Sequence, residues 1–171
     1  YMLHPEFRDK LEVEPPSLQR EMTFAMGSSL HAVVQTQFTM LKMLRCTCVP
    51  GETHTCGEVE VEYTGLHNER GRNDFIVRHP TEGRIPVEMK TMNTTSFGKI
   101  DDTVESMKPE WRIQLSMALD NLGYPWGILL VMQAGWPYRF EEIRYAREDD
   151  LLSQVYEGFD TAAEHLALNT P

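Results

Sequence analysis

The run Gly127-Ile128-Leu129-Leu130-Val131-Met132 constrains this chain more than any other feature. It is the longest unbroken apolar run, and it falls far short of the length needed to span a bilayer, so no membrane segment is expected. A run of this length with β-branched residues reads as a buried strand over 127–133. Before it, the pattern from about Pro109 to Leu122 is helical, and Gly123 stops it. After it, Tyr138 to Tyr145 reads as a further strand. A last helix then carries the apolar stripe Leu151, Leu152, Val155, Tyr156, Phe159, Ala163 and Leu166.

The first half adds one long helix and more strands. Ser17 follows Pro15-Pro16 as a candidate N-cap. Leu18, Met22, Ala25, Met26, Leu30, Val33, Val34, Phe38, Leu41 and Leu44 then recur at helical spacing. Leu44–Cys48 and His54–Tyr63 flank the turn chemistry of Val49-Pro50-Gly51-Glu52 and predict a hairpin. Its second arm alternates Glu58, Glu60 and Glu62 with Val59, Val61 and Tyr63, so one face should be buried and the other solvated or functional. Strands over Asn73–Arg78 and Arg84–Thr91 come next, then a loop from Asn93 to Thr103. At 171 residues one domain is expected over 1–171, of α/β (α+β) class, with its core over about 18–146 and a C-terminal helix over about 149–168.

Charge and cysteine content narrow the setting. A net charge of -10 argues against general affinity for nucleic acid. Between Arg70 and Arg112, however, eight basic residues face seven acidic ones, so the excess negative charge lies elsewhere. Carboxylates that hold a divalent metal also cease to act as free negative charge. Three cysteines within eleven positions make no disulfide framework, which fits a reducing compartment. The sequence opens without a basic segment followed by an apolar one, so no secretory signal is read and a cytoplasmic location is expected.

The residues that carry chemistry are Asp74, at the head of one strand, and Glu88 and Lys90 in the next. Residues two apart in a strand share a face, so Glu88 and Lys90 point one way while Val87 and Met89 point into the core. If the two strands pair as a hairpin, Asp74 comes to the same spot. Hard carboxylate oxygens hold Mg²⁺ or Mn²⁺. A metal of this kind polarises a phosphate and acidifies a bound water. A neighbouring ammonium stabilises charge developing on the phosphate. Asp-x13-Glu-x-Lys alone also fits an ordinary charged hairpin face.

Three segments in one order add to it. Gly71-Arg72-Asn73-Asp74-Phe75-Ile76-Val77 followed by Ile85-Pro86-Val87-Glu88-Met89-Lys90-Thr91 resembles the RecB-type nucleases of the PD-(D/E)XK superfamily, which include the CRISPR-associated exonucleases and their phage relatives. In that family a glycine-containing turn leads into the strand headed by Asp. Gly27-Ser28-Ser29-Leu30-His31 is similar to the family's upstream histidine motif. Trp111-Arg112-Ile113-Gln114-Leu115, ahead of the 127–132 strand, is similar to its Gln-bearing helix, with Ala118 where the family often has Tyr. The resemblance spans roughly Gly27 to Met132.

The resemblance implies a restriction-endonuclease-like core, a mixed sheet flanked by helices, hydrolysing phosphodiester bonds with Mg²⁺ or Mn²⁺. Asp74 and Glu88 would be metal ligands, joined by His31 and the carbonyl of Met89. Lys90 would activate water and Gln114 would help organise the site and its DNA. One of Glu58, Glu60 or Glu62 could add a carboxylate, and phosphate contacts are expected from Arg72, Lys99, Lys108 and Arg112. The expected substrate is DNA, as single strands or duplex ends, digested exonucleolytically in a bacterial or phage-infected cell. The alternatives are a phage head-completion nuclease that trims DNA, which would be virion-associated, and an inactive nuclease fold that binds DNA or protein.

Cys46-Thr-Cys48 and His54-Thr-Cys56 flank the predicted turn, and period two puts each pair on one strand face. They are a candidate structural Zn²⁺ site, with spacing tighter than the usual Cys-x-x-Cys. No cysteine follows Cys56, unlike the branch of the family that carries an iron–sulfur cluster, so no such cluster is expected. If the cysteine hairpin binds zinc and the Asp74–Lys90 face is inert, the acidic surface would instead serve a protein partner or a second copy.

Overall fold

The Gly127–Met132 run lies in a strand whose two faces are both covered by protein. The computed structural model describes residues 17–41, 43–44, 57–66 and 69–168. Along the chain these form α1 (Leu18–Met40), β1 (Glu58–Thr64), β2 (Arg70–His79), β3 (Gly83–Met92), the short α2 (Thr94–Phe97), a 3₁₀ turn (Val104–Ser106), α3 (Pro109–Leu122), β4 (Trp126–Gln133), β5 (Phe140–Ala146) and α4 (Asp149–Leu168). The strands make one five-stranded sheet in the order β1-β2-β3-β4-β5. Neighbours pair antiparallel except β3 and β4, which run parallel with Glu88 opposite Leu129 and Lys90 opposite Val131. Parallel neighbours require a long crossover, and here it carries α2, the 3₁₀ turn and α3. The domain is therefore α+β, a mixed sheet flanked by helices.

Strand alternation divides the core in two. On one face Leu129 and Val131 pack with Ile143 and Tyr145 of β5 under Trp111, Leu115 and Leu119 of α3. On the other, Phe75, Val77, Ile85, Val87, Met89 and Met132 pack under Val34 of α1, with Leu30 and Phe38 beside it. This double cover is why β4 is apolar at every position from Trp126 to Met132 rather than at every second one.

Local chemistry sets α3 where the sequence predicts it. Pro109 opens the helix, where its missing N–H costs nothing, and Gly123 closes it in a left-handed conformation at φ 74°. Polar contacts then lock α3 to the end of β5 and the start of α4. The Arg112 guanidinium donates to both carboxylate oxygens of Glu148, Nε at 2.9 Å. Ser116 and Tyr145 share a hydroxyl hydrogen bond of 2.7 Å. Asp120 accepts from Arg147 at 3.1 Å and from the Tyr156 hydroxyl at 2.9 Å.

Several expectations are corrected. In α1 the apolar recurrence does not make one buried stripe: Leu18, Met22, Met26 and Val33 are exposed, because the helix meets the sheet through Leu30, Val34 and Phe38. In β1 the alternation is broken: Val59 is exposed, and Glu60 takes a left-handed φ of 52°. Within the 93–103 loop, Asn93 caps α2 by accepting from Ser96 N–H, and α2 buries Phe97. The last strand begins at Phe140 rather than Tyr138, with Gln133 Nε2 donating to the Pro137 carbonyl in the connection. The first hairpin arm beyond Leu44, its turn, and Cys46, Cys48, His54 and Cys56 lie outside the described residues. Among the described residues no helix is long and apolar enough to cross a membrane.

Gly127 lies where β4 meets β3 under α3. A methyl group there would meet the Pro86 carbonyl at 2.8 Å and Leu119 Cδ2 at 3.0 Å. Gly127→Ala should therefore cost about 1–3 kcal/mol, as overpacked cores do. Urea denaturation checks this, and a midpoint equal to the parent's would show that β4 does not approach β3 and α3 this closely.

Candidate active site

The site forms where the β1–β2 ladder skips a rung and the β2–β3 ladder ends. Pairs Val59↔Phe75 and Val61↔Asn73 flank an interrupted rung that leaves Glu60 opposite Asp74. On the other side the β2–β3 ladder runs from His79↔Gly83 to Phe75↔Val87 and stops. The Asp74 carboxylate fills in beyond that point: its Oδ2 accepts the Met89 N–H at 2.8 Å, satisfying a donor that would otherwise be stranded. Asn73, fully buried, wedges the opening, and its Nδ2 donates to the Phe75 carbonyl and to the Val87 carbonyl at 3.4 Å.

Glu88 and Lys90 share the α3 face of β3, as period two predicts. Their side chains meet at 2.7 Å, between Lys90 Nζ and Glu88 Oε1. Gln114, one turn into α3, joins both: its Oε1 accepts from Lys90 Nζ at 2.8 Å and its Nε2 donates to Glu88 Oε1. His31 approaches from α1, its Nδ1 3.8 Å from Asp74 Oδ1. The structure thus brings Asp74, Glu88, Lys90 and Gln114 together, with His31 beside Asp74. Met89 supplies the N–H that anchors Asp74 and buries its side chain on the α1 face.

The electrostatics are those of crowded acids. Glu88 is only 2% exposed. Burial first, and then the charge of Asp74, push its carboxyl up to about 7, against the opposing pull of Lys90. The Tyr63 phenol is pushed up to about 12 by burial and by the charges of Glu88 and Glu69, so it stays neutral. One oxygen on each acid is not taken up by a hydrogen-bond donor of the cluster: Asp74 Oδ1, and Glu88 Oε2, which is buried without a partner among the described residues. Among those residues no three His, Cys, Asp or Glu side chains already form a metal-holding group. The donor chemistry of the two remaining oxygens nevertheless suits a hard divalent cation, and a positive charge there would relieve the mutual repulsion of the acids.

Other expected residues stand apart. Glu58 pairs with Arg84 at 2.6 Å and Glu60 with Arg72 at 3.4 Å, while Glu62 is solvent-exposed. Arg112 is engaged by Glu148. Lys99 and Lys108 are exposed on the β3–β4 crossover, with Lys108 Nζ 5.1 Å above the Trp111 ring. Sequence reasoning missed two residues, Asn73 and Tyr63. Gly71 is already inside β2 rather than in a turn, and the Tyr63 ring lies across it, leaving no room for a Cβ. The Tyr63–Gly71 pairing across strands is the signal that would have found it.

No family model matches the sequence, and no curated protein matches it. A solved structure titled "Crystal structure of SSO0001" is similar to the chain at 18% identity and a TM-score of 0.47. The match covers 82% of this chain and 60% of that one, so the chain spans less than two thirds of that protein's length.

The Glu88 shift makes a stability prediction. A carboxyl raised from 4.5 to about 7 favours the fold while protonated, so its contribution is complete below pH 4.5 and is lost as pH rises through about 7. The groups facing it are Asp74, Lys90, Tyr63 and Gln114. In chelator, unfolding free energy should fall over that window by about 3 kcal/mol, and Glu88→Gln should flatten the fall. Mg²⁺ or Mn²⁺ added above pH 7 should raise the wild-type Tm and leave that of Glu88→Gln unchanged. Parallel pH profiles for the two proteins would refute the buried-acid account.

Proposed function

We propose that this chain is a metal-dependent DNA nuclease of the PD-(D/E)XK superfamily, similar to its RecB-type members, acting from the ends of single strands or duplexes. The observation that supports the reading most is the meeting of Asp74 with the Glu88–Lys90–Gln114 triad at the opening between β2 and β3. An ordinary charged hairpin face would leave its acids in water. Here one is buried, and it keeps a free oxygen beside a second acid.

Asp74 and Glu88 would hold Mg²⁺ or Mn²⁺, with His31 and the Met89 carbonyl as further candidate ligands. When bound, the metal would polarise the phosphate and acidify water. The chain's own residues do the rest. Lys90 has three N–H donors, two of them engaged by Glu88 and Gln114, which leaves one to orient the attacking water and to steady charge developing on the phosphate. Gln114 holds the ammonium and the carboxylate in register. The Met89 N–H fixes the rotamer of Asp74, and Asn73 keeps the strands apart where substrate would enter.

End-labelled linear single- and double-stranded DNA, incubated with Mg²⁺ or Mn²⁺, tests this against a closed circular control. Linear DNA should be degraded and the circle spared. Asp74→Ala and Lys90→Ala should each reduce the rate at least about a hundredfold. Gln114→Ala should lose roughly ten- to a hundredfold as a positioning residue, and Gln114→Glu should not restore the rate. Folded wild type that cuts neither substrate with either metal would transfer the site to a non-catalytic binding module.

A further inference from the structure

Helix α1 carries a second apolar stripe that the sheet does not cover. Leu30, Val34 and Phe38 face the sheet, and Met22, Met26, Val33 and Met40 fall together about 110° around the helix from them. These four are exposed, at 62%, 56%, 54% and 71%. Ser29 and Thr36 complete the stripe. Their hydroxyls turn back to the Ala25 and Ala32 carbonyls at 2.8 and 2.9 Å, so they present little polar surface. Met22 and Met26 also wall a groove that Thr91 of β3 completes with Lys108 and Trp111 at the start of α3. From Met22 to Met40 the sequence contains no Asp, Glu, Lys or Arg, and His31 faces Asp74. By contrast, α4 exposes Asp149, Asp150, Glu157, Asp160 and Glu164. An exposed face of apolar side chains without charge has the composition of an interface core.

We propose that this stripe binds a second copy of the chain, α1 against α1 and antiparallel, about a two-fold axis at the level of His31. The inference does not rest on the nuclease reading. Two observations select a second copy. The first is that the stripe complements itself. Turned about that axis, Met22 meets the partner's Met40, Met26 the partner's Thr36, and Ser29 the partner's Val33, so large side chains meet small ones near the axis, as a symmetric interface requires. Antiparallel helix dipoles add to the attraction. The second is charge. A chain of net charge -10 repels its own copies over most of its surface, and the charge-free stripe is a face where two copies can meet. A basic partner would seek acids, which the stripe lacks. The seam runs about 27 Å along the helix, short of an obligate interface, so the dimer should be a weak one, with Kd in about the micromolar range. His31 lies about 170° around the helix from the stripe, so the two candidate centres face away from each other, and the partner's Met40 borders the groove beside Met22.

Sedimentation equilibrium tests this, with circular dichroism confirming that each variant is folded. Wild type loaded over about 1–100 μM should fit a monomer–dimer equilibrium. Val33→Lys and Ser29→Glu, both at exposed positions, each bring like charges together across the axis, and each alone should weaken the dimer roughly tenfold or more. An equimolar mixture of the two variants sets Lys against Glu and should recover association to within a few-fold of wild type. Ser28→Glu places the same charge on the far side of the helix and should leave the dimer unchanged. Wild type that stays monomeric at every concentration would overturn the proposal. So would a dimer that tolerates Val33→Lys, or one that Ser28→Glu disrupts equally, since either result places the contact elsewhere. A mixture that fails to associate would overturn the antiparallel register.

Discussion

A carboxylate withdrawn from water must find partners or give up its charge, and Glu88 governs this structure through that requirement. It recruits Lys90 from its own strand and Gln114 from α3, which ties the helix to the centre of the sheet by polar contacts rather than by packing alone. Asp74 meets a related need in the opposite sense. There a backbone N–H is left over where two strands separate, and the side chain supplies the missing acceptor. The opening in the sheet and the cluster of acids are one arrangement: without Asp74 the strands could not part at this point without stranding the Met89 donor.

Such an arrangement stores unfavourable electrostatics. Two acids and a buried unpartnered oxygen destabilise the protein near neutral pH. The stability is recovered elsewhere, in the two apolar layers around β4 and in the α3–α4 polar contacts. Sites that bind charge are commonly built this way, with local cost carried by a rigid frame.

Much of the frame was legible in the sequence. The 127–133 strand follows from an apolar run that only double burial explains. The bounds of α3 follow from Pro109 and Gly123, and the common face of Glu88 and Lys90 from strand periodicity. Features set by register between distant segments escaped. The left-handed Glu60, the Asn73 wedge and the Tyr63 ring over Gly71 depend on how β1, β2 and β3 align, which no local pattern encodes. The pairing of Arg112 with Glu148 joins residues far apart in sequence, so Arg112 looked free for phosphate. Gln114 could be singled out only through a resemblance, since an isolated glutamine in a helix has no signature. In α1, helical spacing alone could not tell methionines that line a groove from those that fill a core.

The contacts that seat α3 have a further consequence for how the protein comes into being. Arg112, Ser116 and Asp120 are held by Tyr145, Arg147, Glu148 and Tyr156, all of them later in the chain. A ribosome releases Asp74, Glu88 and Lys90 well before those anchors exist, and domains fold as units once their parts have emerged. Gln114 rides on the helix that those anchors seat, so its place over Glu88 depends on contacts made by residues 145–156. A fragment ending before Tyr145 would carry every residue of the candidate site and lack the contacts that seat α3 over it.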